Sequence, residues 1–205
     1  MDRALPKGIV FDRVQYRGVR ALKNVFDLWV LQEILWETEP EVVVEIGVKH
    51  GGTTLWLSDV LRNFRGEHAL VVGIDIEPPD RDFPDNVRII AGDSIVPETV
   101  ARVREICSGR RTMVMVDGRH DAPHVLQEMR LYGPMVSMGC YFLAEDGIVD
   151  VMDWKQATPG PLLAVQQFLT ETDEFIVDAE REKFLLTYTP GGYLKRVRPA
   201  TSNSA

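Results

Sequence analysis

The sequence predicts a doubly wound α/β domain with a mostly parallel sheet of seven strands, one of them antiparallel near the C-terminus. Three observations lead to this fold class: short apolar runs recur along the chain, helical patterns separate most of them, and turn residues follow where the runs end. Such alternation is typical of β-α units around a buried sheet. A chain of 205 residues can bury the core of one such domain without disulfides.

The first half of the chain contains two predicted helices and three predicted strands. Apolar side chains recur at helical spacing over residues 21–37, and a second helical pattern begins near Thr53. The first strand, Val42–Ile46, is apolar on both faces, as buried parallel strands are. The second and third strands are Ala69–Ile74 and Val87–Ala91.

The second half continues this alternation and then ends differently. Its predicted helices begin at Pro97 or span Pro123–Tyr132 and Leu162–Leu169, and its next strands are Thr112–Val116 and Cys140–Ala144. The last two predicted strands, Phe175–Asp178 and Phe184–Tyr188, are joined too tightly for a helical crossover. They are therefore expected to pair antiparallel. Five β-α units followed by such a hairpin is the arrangement of a Rossmann-like methyltransferase domain.

Composition and charge exclude several classes of protein. A single domain is expected over residues 1–205, with an N-terminal arm and helix at 1–38, a core at 41–197 and a tail at 198–205. The net charge of −8 argues against nonspecific binding to nucleic acid. There is no apolar run close to the roughly 20 residues of a membrane span, and no signal-peptide layout, so a cytoplasmic protein is expected. The two cysteines are expected to be buried thiols: Cys107 and Cys140.

A glycine-rich turn follows the first strand. Glu45 and Gly47 lie at the end of that strand, and Gly51 and Gly52 precede the second helix. Glycines at these positions permit a sharp turn and a close approach of a ligand to the helix N-terminus. The turn lacks the spacing of a pyrophosphate site, and a purely structural glycine turn explains it equally well. The candidate cofactor residues of this turn are Glu45, Gly47, His50, Gly51, Gly52 and Thr53.

Two further strand ends supply acidic residues. Asp75 closes the second strand, where a carboxylate can accept hydrogen bonds from ribose hydroxyls, and Ile76 follows it. Asp93 and Ser94 close the third strand, where a carboxylate can accept an adenine amino hydrogen; an N-cap for the helix at Pro97 is an equal alternative. An acidic pocket of this kind suits the cationic S-adenosylmethionine (SAM) better than a dinucleotide with a negative pyrophosphate.

Several motifs together carry a family resemblance. They are Glu45-Ile46-Gly47 with Gly51-Gly52-Thr53, Gly73-Ile74-Asp75-Ile76, Gly92-Asp93-Ser94, Val116-Asp117-Gly118-Arg119-His120, Glu145-Asp146-Gly147, and the C-terminal Phe184–Thr187 and Pro190–Arg196. Over about residues 15–197 the chain resembles the cephalosporin hydroxylase / rhamnosyl O-methyltransferase family. The resemblance implies a SAM-dependent, divalent-metal-assisted O-methyltransferase that acts on a hydroxyl of a sugar or a secondary metabolite, of the antibiotic or glycolipid type.

A metal site is predicted where the fourth and fifth strands end. Asp117 follows one of these strands, and Glu145 with Asp146 follows the other. Three convergent carboxylates repel one another unless a cation or shared protons compensate. Oxygen ligands suit Mg²⁺, or Mn²⁺ and Ca²⁺, rather than Zn²⁺. Each Asp-Gly pair taken alone is typical of a simple turn, but two of them at neighbouring strand ends favour the metal.

Histidine and the following loop complete the predicted catalytic site. His120 is the candidate general base beside Asp117, because its pKa lies near neutral pH; a metal contact or a capping role is the alternative. His50 is a second candidate, whereas His124 and His68 are expected on the surface. The loop after the fifth strand is expected to form either a substrate wall or a solvated segment through Asp150, Asp153 and Trp154.

Two other functions are weighed against the enzyme. A noncatalytic SAM-binding subunit that assists a partner enzyme is the main alternative, but such a scaffold has no need of three clustered carboxylates. An NAD-dependent oxidoreductase is disfavoured by the missing pyrophosphate spacing and by the terminal hairpin. The expected partner is a small hydroxyl-bearing molecule, with neither nucleic acid nor membrane, and the apolar helix at 21–36 favours a homo-oligomer.

Overall fold

A seven-stranded sheet organises the computed structural model, which describes residues 13–152 and 159–199. A small hairpin precedes the sheet and is formed by β1 (Gln15–Tyr16) and β2 (Val19–Arg20). The strands of the main sheet are β3 (Val42–Ile46), β4 (Leu70–Asp75), β5 (Val87–Ala91), β6 (Thr112–Val116), β7 (Tyr141–Ala144), β8 (Phe175–Val177) and β9 (Tyr193–Arg196). The helices are α1 (Val25–Thr38), α2 (Gly52–Arg65), α3 (Pro97–Cys107), α4 (Ala122–Tyr132), α5 (Ile148–Val151) and α6 (Pro161–Glu171).

The order of the strands is β5-β4-β3-β6-β7-β9-β8. The first five strands of this order run parallel, whereas β9 is inserted between β7 and β8 and is antiparallel to both. The order reverses direction between β3 and β6, which is the switch point at which open α/β sheets bind ligands. The predicted fold class, with one antiparallel strand near the C-terminus, is confirmed.

The prediction of a strand at Phe184–Tyr188 is wrong. β9 lies further along, at Tyr193–Arg196, and residues 184–188 pack over the start of α1 instead. There the Thr187 hydroxyl donates to Asp27 Oδ1 at 2.7 Å and the Tyr188 amide donates to Asp27 Oδ2 at 2.8 Å. The Thr187 hydroxyl and the Tyr188 amide therefore find their hydrogen-bond partner in Asp27 on α1 rather than in a neighbouring strand. The connection from β4 to β5 is also simpler than a full β-α unit, because it contains no helix.

The core consists of two apolar layers, one on each face of the sheet. Along β3, Val42 and Val44 face one layer while Val43 faces the other, as strand alternation requires. Helices α1 and α2 cover the face of Val43, and α3, α4 and α6 cover the opposite face. Each fully buried aliphatic side chain contributes about 1.5–3 kcal/mol. Both cysteines are buried and free, as expected: Cys107 and Cys140.

The carboxyl ends of the parallel strands meet at one edge of the sheet. Their pairing continues one residue beyond three of the strands, because the amides of Gly47, Asp117 and Glu145 donate to the carbonyls of Ile74, Ile46 and Val116 at 2.8–3.0 Å. The residues that follow β3, β6 and β7 are thereby held side by side. None of the helices in the described part of the chain has the length and apolar character needed to cross a bilayer.

Candidate active site

A lysine lies between two of the predicted metal-site carboxylates. Lys23 Nζ donates to Asp117 Oδ2 at 2.6 Å and also to Glu145 Oε2. The lysine side chain is only 5% exposed, and the two carboxylates are largely buried. Burial acts to lower the pKa of Lys23, but the charges of both carboxylates outweigh it and raise that pKa, so the ammonium stays charged.

Asp146 completes the group of carboxylates and contacts the predicted base. Its backbone has a positive φ of 58°, a conformation that few residues other than glycine adopt. Its Oδ2 lies 3.5 Å from Nε2 of His120, a side chain that is about one-third exposed. Burial and the charge of Asp117 raise the pKa of Asp146 to about 6, and His120 opposes that rise. Burial likewise raises the pKa of Glu145, although the charge of Lys23 acts in the opposite direction.

The chemistry of this group fits a hard divalent cation. Asp117, Glu145 and Asp146 provide only oxygen donors, which suit Mg²⁺ and similar ions. Lys23 compensates one of three formal negative charges, and it already serves as a stand-in cation at two of the carboxylates. Within residues 13–152 and 159–199, no three acidic, histidine or cysteine side chains are arranged as a finished set of metal ligands.

Glu45 and Gly47 connect the glycine-rich turn to these carboxylates. Glu45 is fully buried on β3; its Oε2 accepts a hydrogen bond from the Thr54 hydroxyl, and its Oε1 has no partner. Burial raises the pKa of Glu45 to about 8. Gly47 has a φ of 98°, and a Cβ there would overlap the carbonyl oxygen of Asp117. The glycine-rich turn and the strand end at Asp117, where a metal site is predicted, are thus packed directly together.

The other residues of the turn contact the protein itself. A Cβ on Gly52 would overlap the carbonyl of Arg20, and the Thr53 hydroxyl donates to the carbonyl of Ala21 at 2.8 Å. Gly51 has a φ of 83°, and a Cβ there would lie 2.8 Å from the Phe83 ring. Packing within the protein therefore explains why these residues are present: Gly51, Gly52 and Thr53. Their role in binding a cofactor stays a prediction. His50 is half-buried in the same turn, and its role stays a prediction as well.

Asp75 lies at the end of β4 with both oxygens engaged. Oδ2 accepts a hydrogen bond from the Lys49 amide at 2.8 Å, and Oδ1 accepts one from the Glu77 amide at 2.9 Å. Each carboxylate oxygen can accept more than one hydrogen bond, so capacity for two ribose hydroxyls remains. The next residue, Ile76, is 72% exposed and presents an apolar side chain beside the carboxylate. The pair has the polar and apolar character that an adenosine ligand requires.

Asp93 and Ser94 make local contacts at the end of β5. Asp93 Oδ1 accepts from the Ile95 amide at 3.0 Å, while the N-cap of α3 is Val96. The alternative of Asp93 as that N-cap is therefore wrong. The Ser94 hydroxyl donates to Glu128 Oε1 at 2.5 Å, so this hydroxyl points into the protein.

The surface position predicted for His124 is also wrong. Its Nε2 lies 3.2 Å from Glu128 Oε1, and its side chain is 11% exposed. The hydrogen bond with Glu128 raises the pKa of His124. Glu128 is buried, and its Oε2 has no hydrogen-bond partner. His68, by contrast, is exposed as expected.

The loop after β7 is partly structural. Asp150 accepts hydrogen bonds from the amides of Gly160 and Leu162 at 2.6 and 2.9 Å and thereby fixes the start of α6. The predicted substrate-wall residues Asp153 and Trp154 lie outside the described residues. A cavity of about 670 Å³ lies elsewhere, beside Arg104, Arg110 and Arg111 near the start of β6. It is lined by none of the predicted site residues.

Comparison with known proteins assigns the family. The model of the rhamnosyl O-methyltransferase/CmcI family matches residues 9–197. The chain belongs to this family. The rhamnosyl O-methyltransferase of Mycobacterium tuberculosis H37Rv is 31% identical over 198 residues, which are 92% of this chain and 80% of the relative. That of Mycobacterium leprae is 30% identical over 91% of this chain and 85% of the relative.

Several solved structures share the fold of this chain. A structure of CmcI with Mg and SAM has a TM-score of 0.72 and 24% identity over 92% of this chain and 78% of that one. The apo structure of CmcI has a TM-score of 0.71 and 25% identity with the same coverage. MycE, from the mycinamycin biosynthetic pathway, in complex with Mg and S-adenosylhomocysteine has a TM-score of 0.57 and 18% identity over 84% of this chain and 50% of that one.

Family membership confirms the predicted class of enzyme, a SAM-dependent O-methyltransferase. The cofactors predicted from the sequence, SAM and Mg²⁺, are those named in complexes of the structural relatives.

One residue of the candidate site could not be predicted from the sequence. Lys23 lies in the segment predicted as an N-terminal arm and helix, within the helical pattern at 21–37, and a lone lysine there carries no signal of a buried ion pair.

Proposed function

We propose that the protein transfers a methyl group from SAM to a hydroxyl of a sugar or a secondary metabolite, with the help of a divalent cation. The observation that carries this proposal is the packing of the cofactor turn on the metal-site strand end. A Cβ on Gly47 would overlap the carbonyl of Asp117, so a ligand in the turn and a cation at the carboxylates would be immediate neighbours. Methyl transfer needs that arrangement, because orientation of donor and acceptor supplies much of the rate acceleration.

The proposed SAM site extends from the glycine-rich turn along the strand ends. Asp75 would accept hydrogen bonds from the ribose hydroxyls, and Ile76 would cover the adenine. When bound, SAM supplies a methyl group on a positively charged sulfur. The net negative charge of the neighbouring carboxylates favours this cation electrostatically.

The proposed metal ligands are Asp117, Glu145 and Asp146. A bound Mg²⁺, or Mn²⁺, supplies Lewis-acid chemistry that favours ionisation of the acceptor hydroxyl. The protein contributes the fixed positions of the three carboxylates, which the ends of β6 and β7 hold side by side. Two of them, Asp117 and Glu145, are largely buried and paired with Lys23, which limits the access of water to them.

His120 is the proposed general base. Its partly exposed imidazole lies beside Asp146, and this carboxylate can orient the ring. The imidazole takes the proton of the acceptor hydroxyl while the oxygen forms a bond to the methyl carbon and the bond from that carbon to sulfur breaks. The products are a methyl ether, S-adenosylhomocysteine and one proton.

The proposal includes the partners and the location predicted from the sequence. The acceptor is a small molecule, and a net charge of −8 disfavours binding to the phosphates of nucleic acid. The proposed location is cytoplasmic, as the sequence predicts.

Methyl transfer to a panel of glycosides and natural products tests the proposal. Turnover is expected with SAM and Mg²⁺, loss of turnover with excess chelator, and recovery when Mg²⁺ or Mn²⁺ is restored. Asp117→Asn should resist that recovery, whereas Asp85→Asn, which changes an exposed carboxylate paired with Arg62, should behave as the wild type. Full turnover in excess chelator would contradict the metal.

Calorimetry with S-adenosylhomocysteine tests the cofactor separately. Asp75→Ala is expected to weaken binding by about 1.5–3 kcal/mol, the range for a hydrogen bond to a charged group. Asp82→Ala, a change of an exposed aspartate in the same loop, is the matched control. Unchanged affinity in a folded Asp75→Ala protein would remove Asp75 from the cofactor site.

A further inference from the structure

Lys23 lies in the position where a cation is needed by the metal-site carboxylates. Its ammonium bridges Asp117 and Glu145, two residues that come from neighbouring strands and are separated from it by 94 and 122 residues in sequence. An ammonium with 5% exposure is costly to bury unless it is paired. The two ion pairs therefore define the resting place of this side chain.

The backbone holds Lys23 at this place from both sides. The preceding residue, Leu22, has a positive φ of 44°, and such strain in a residue with a branched side chain persists only where surrounding structure enforces it. The carbonyl of Ala21 accepts a hydrogen bond from Thr53. The following residue, Asn24, caps α1 through the Phe26 amide at 3.1 Å. The segment is fixed on both sides of Lys23, and the lysine side chain is buried.

The oxygens that Lys23 engages leave part of the site available. The ammonium contacts Oδ2 of Asp117 and Oε2 of Glu145, so the second oxygen of each carboxylate lies outside these two ion pairs. Asp146 lies beside His120 at the edge of the same group. Three carboxyl groups thus lie around a position that holds the one positive charge of the Lys23 ammonium.

We infer that Lys23 is a built-in counter-cation of the metal site, which a divalent cation displaces from Asp117 or Glu145 when it binds. This inference rests on the proposed metal dependence. In the metal-free protein the ammonium prevents the carboxylates from repelling each other and keeps the site assembled. When the divalent cation binds, the lysine and the metal compete for the same two carboxylates, so the lysine lowers the affinity for the metal. Lys23 is therefore a positioning residue that sets metal affinity.

Metal titration of Lys23→Met tests the inference without any measurement of turnover. Methionine keeps an unbranched side chain of similar length and removes the charge. At a fixed, mildly alkaline pH, calorimetry with Mn²⁺ is expected to show a dissociation constant about tenfold lower than in the wild type, because a competing positive charge is gone. The melting temperature of the metal-free variant should fall, and its rise on addition of Mn²⁺ should exceed that of the wild type.

Lys183→Met is the matched control. It removes a lysine charge from an ion pair with a single carboxylate, Glu33, outside the site, and Mn²⁺ affinity should not change. Weaker or equal Mn²⁺ binding by Lys23→Met, relative to the wild type, would overturn the inference while leaving the metal proposal intact. An absence of Mn²⁺ binding in both wild type and Lys23→Met would overturn the metal proposal together with the inference. Binding by the variant alone would support the inference.

A second measurement uses the wild-type chain, so that it holds if Lys23→Met does not fold. Lysine labelled with ¹⁵N at Nζ should give an ammonium signal for Lys23 that is protected from solvent exchange in the metal-free protein, and Lys23→Arg identifies this signal by its loss. Mg²⁺ is expected to shift or broaden that signal, because the ammonium leaves at least one carboxylate. A signal that stays unchanged at saturating Mg²⁺ would overturn the inference.

Discussion

At the scale of single residues, the candidate site contains three acidic residues that the sequence indicates and one lysine, Lys23, that it does not. Asp117, Glu145 and Asp146 could be predicted because each follows a recognisable apolar strand. Lys23 could not, because its partners are 94 and 122 residues away and its own segment has only the pattern of a helix. Local pattern identifies residues at strand ends, whereas contacts between distant segments depend on how the chain folds back.

His120 provides the test of proton transfer. If its imidazole accepts the hydroxyl proton, His120→Ala should lower kcat by about 10²–10⁴ while Mn²⁺ affinity measured by calorimetry stays the same. The loss should shrink at high pH, because the acceptor hydroxyl then ionises without help. His68→Ala changes an exposed histidine and serves as the control. Lost Mn²⁺ affinity would reassign His120 as a metal ligand, and normal turnover would exclude it from the chemistry.

Glu45 should make stability depend on pH. Burial raises its pKa in the folded state to about 8, from the ordinary value of 4.5, so the folded protein retains a proton that the unfolded chain releases. The contribution of Glu45 to stability is therefore fully present below about pH 4.5 and is lost progressively as the pH rises to about 8. Above that pH the loss is complete and constant.

The substitution Glu45→Gln should remove this dependence. Denaturant unfolding of wild type and variant across that pH range is expected to differ in slope by about 1.4 kcal/mol per pH unit, with the variant less sensitive to rising pH. Glu41→Gln, near the amino end of the same strand, leaves Glu45 in place and should keep the wild-type slope. Identical slopes for wild type and Glu45→Gln would show that Glu45 titrates near its ordinary pKa when folded.

At the scale of elements, most strands and helices follow from hydrophobic pattern, and the exception is instructive. Residues 184–188 have the apolar character of a strand, but their polar groups bond to Asp27 on α1. The true last strand, Tyr193–Arg196, has two charged residues among its four, yet it lies between β7 and β8. Position in the sheet, rather than the composition of the segment, decides which residues become β9.

Gly47 should be essential to the junction of β3 and β6. Gly47→Ala would place a Cβ against the Asp117 carbonyl and would also force alanine to a φ near 98°. Gly109→Ala separates the two effects, because Gly109 has a φ of 70° and nothing within 4 Å of the added Cβ. That control should lose only about 1–2 kcal/mol from backbone strain.

The expected result for Gly47→Ala is a larger loss of stability, together with weaker binding of both S-adenosylhomocysteine and Mn²⁺, because the displaced Asp117 belongs to the proposed metal site. Thermal melting and calorimetry check the two parts. A loss no greater than that of Gly109→Ala, with normal ligand binding, would contradict the proposed coupling between the turn and the metal-site strand.

At the scale of the whole molecule, parallel strands bring distant functional groups to one edge. The pairing of Ile46 with Ile74 and Val116, and of Val116 with Ala144, aligns four strand ends in a row. This alignment is why the carboxyl ends of the predicted strands were sufficient to locate the acidic site. The same reasoning does not identify the methyl acceptor, because the shape of its pocket depends on loops that have no periodic pattern.

An exposed apolar stripe on α1 leads to the last prediction, self-association. Val25, Trp29 and Trp36 are 55%, 59% and 63% exposed, and their spacing places them on one face of the helix. Exposed apolar patches with aromatic residues often mark protein interfaces. Sedimentation velocity should show a species larger than the monomer, and Trp29→Arg should shift it toward the monomer. Leu163→Arg, a change of an exposed leucine on α6, should not; a wild-type protein that stays monomeric at high concentration would contradict self-association.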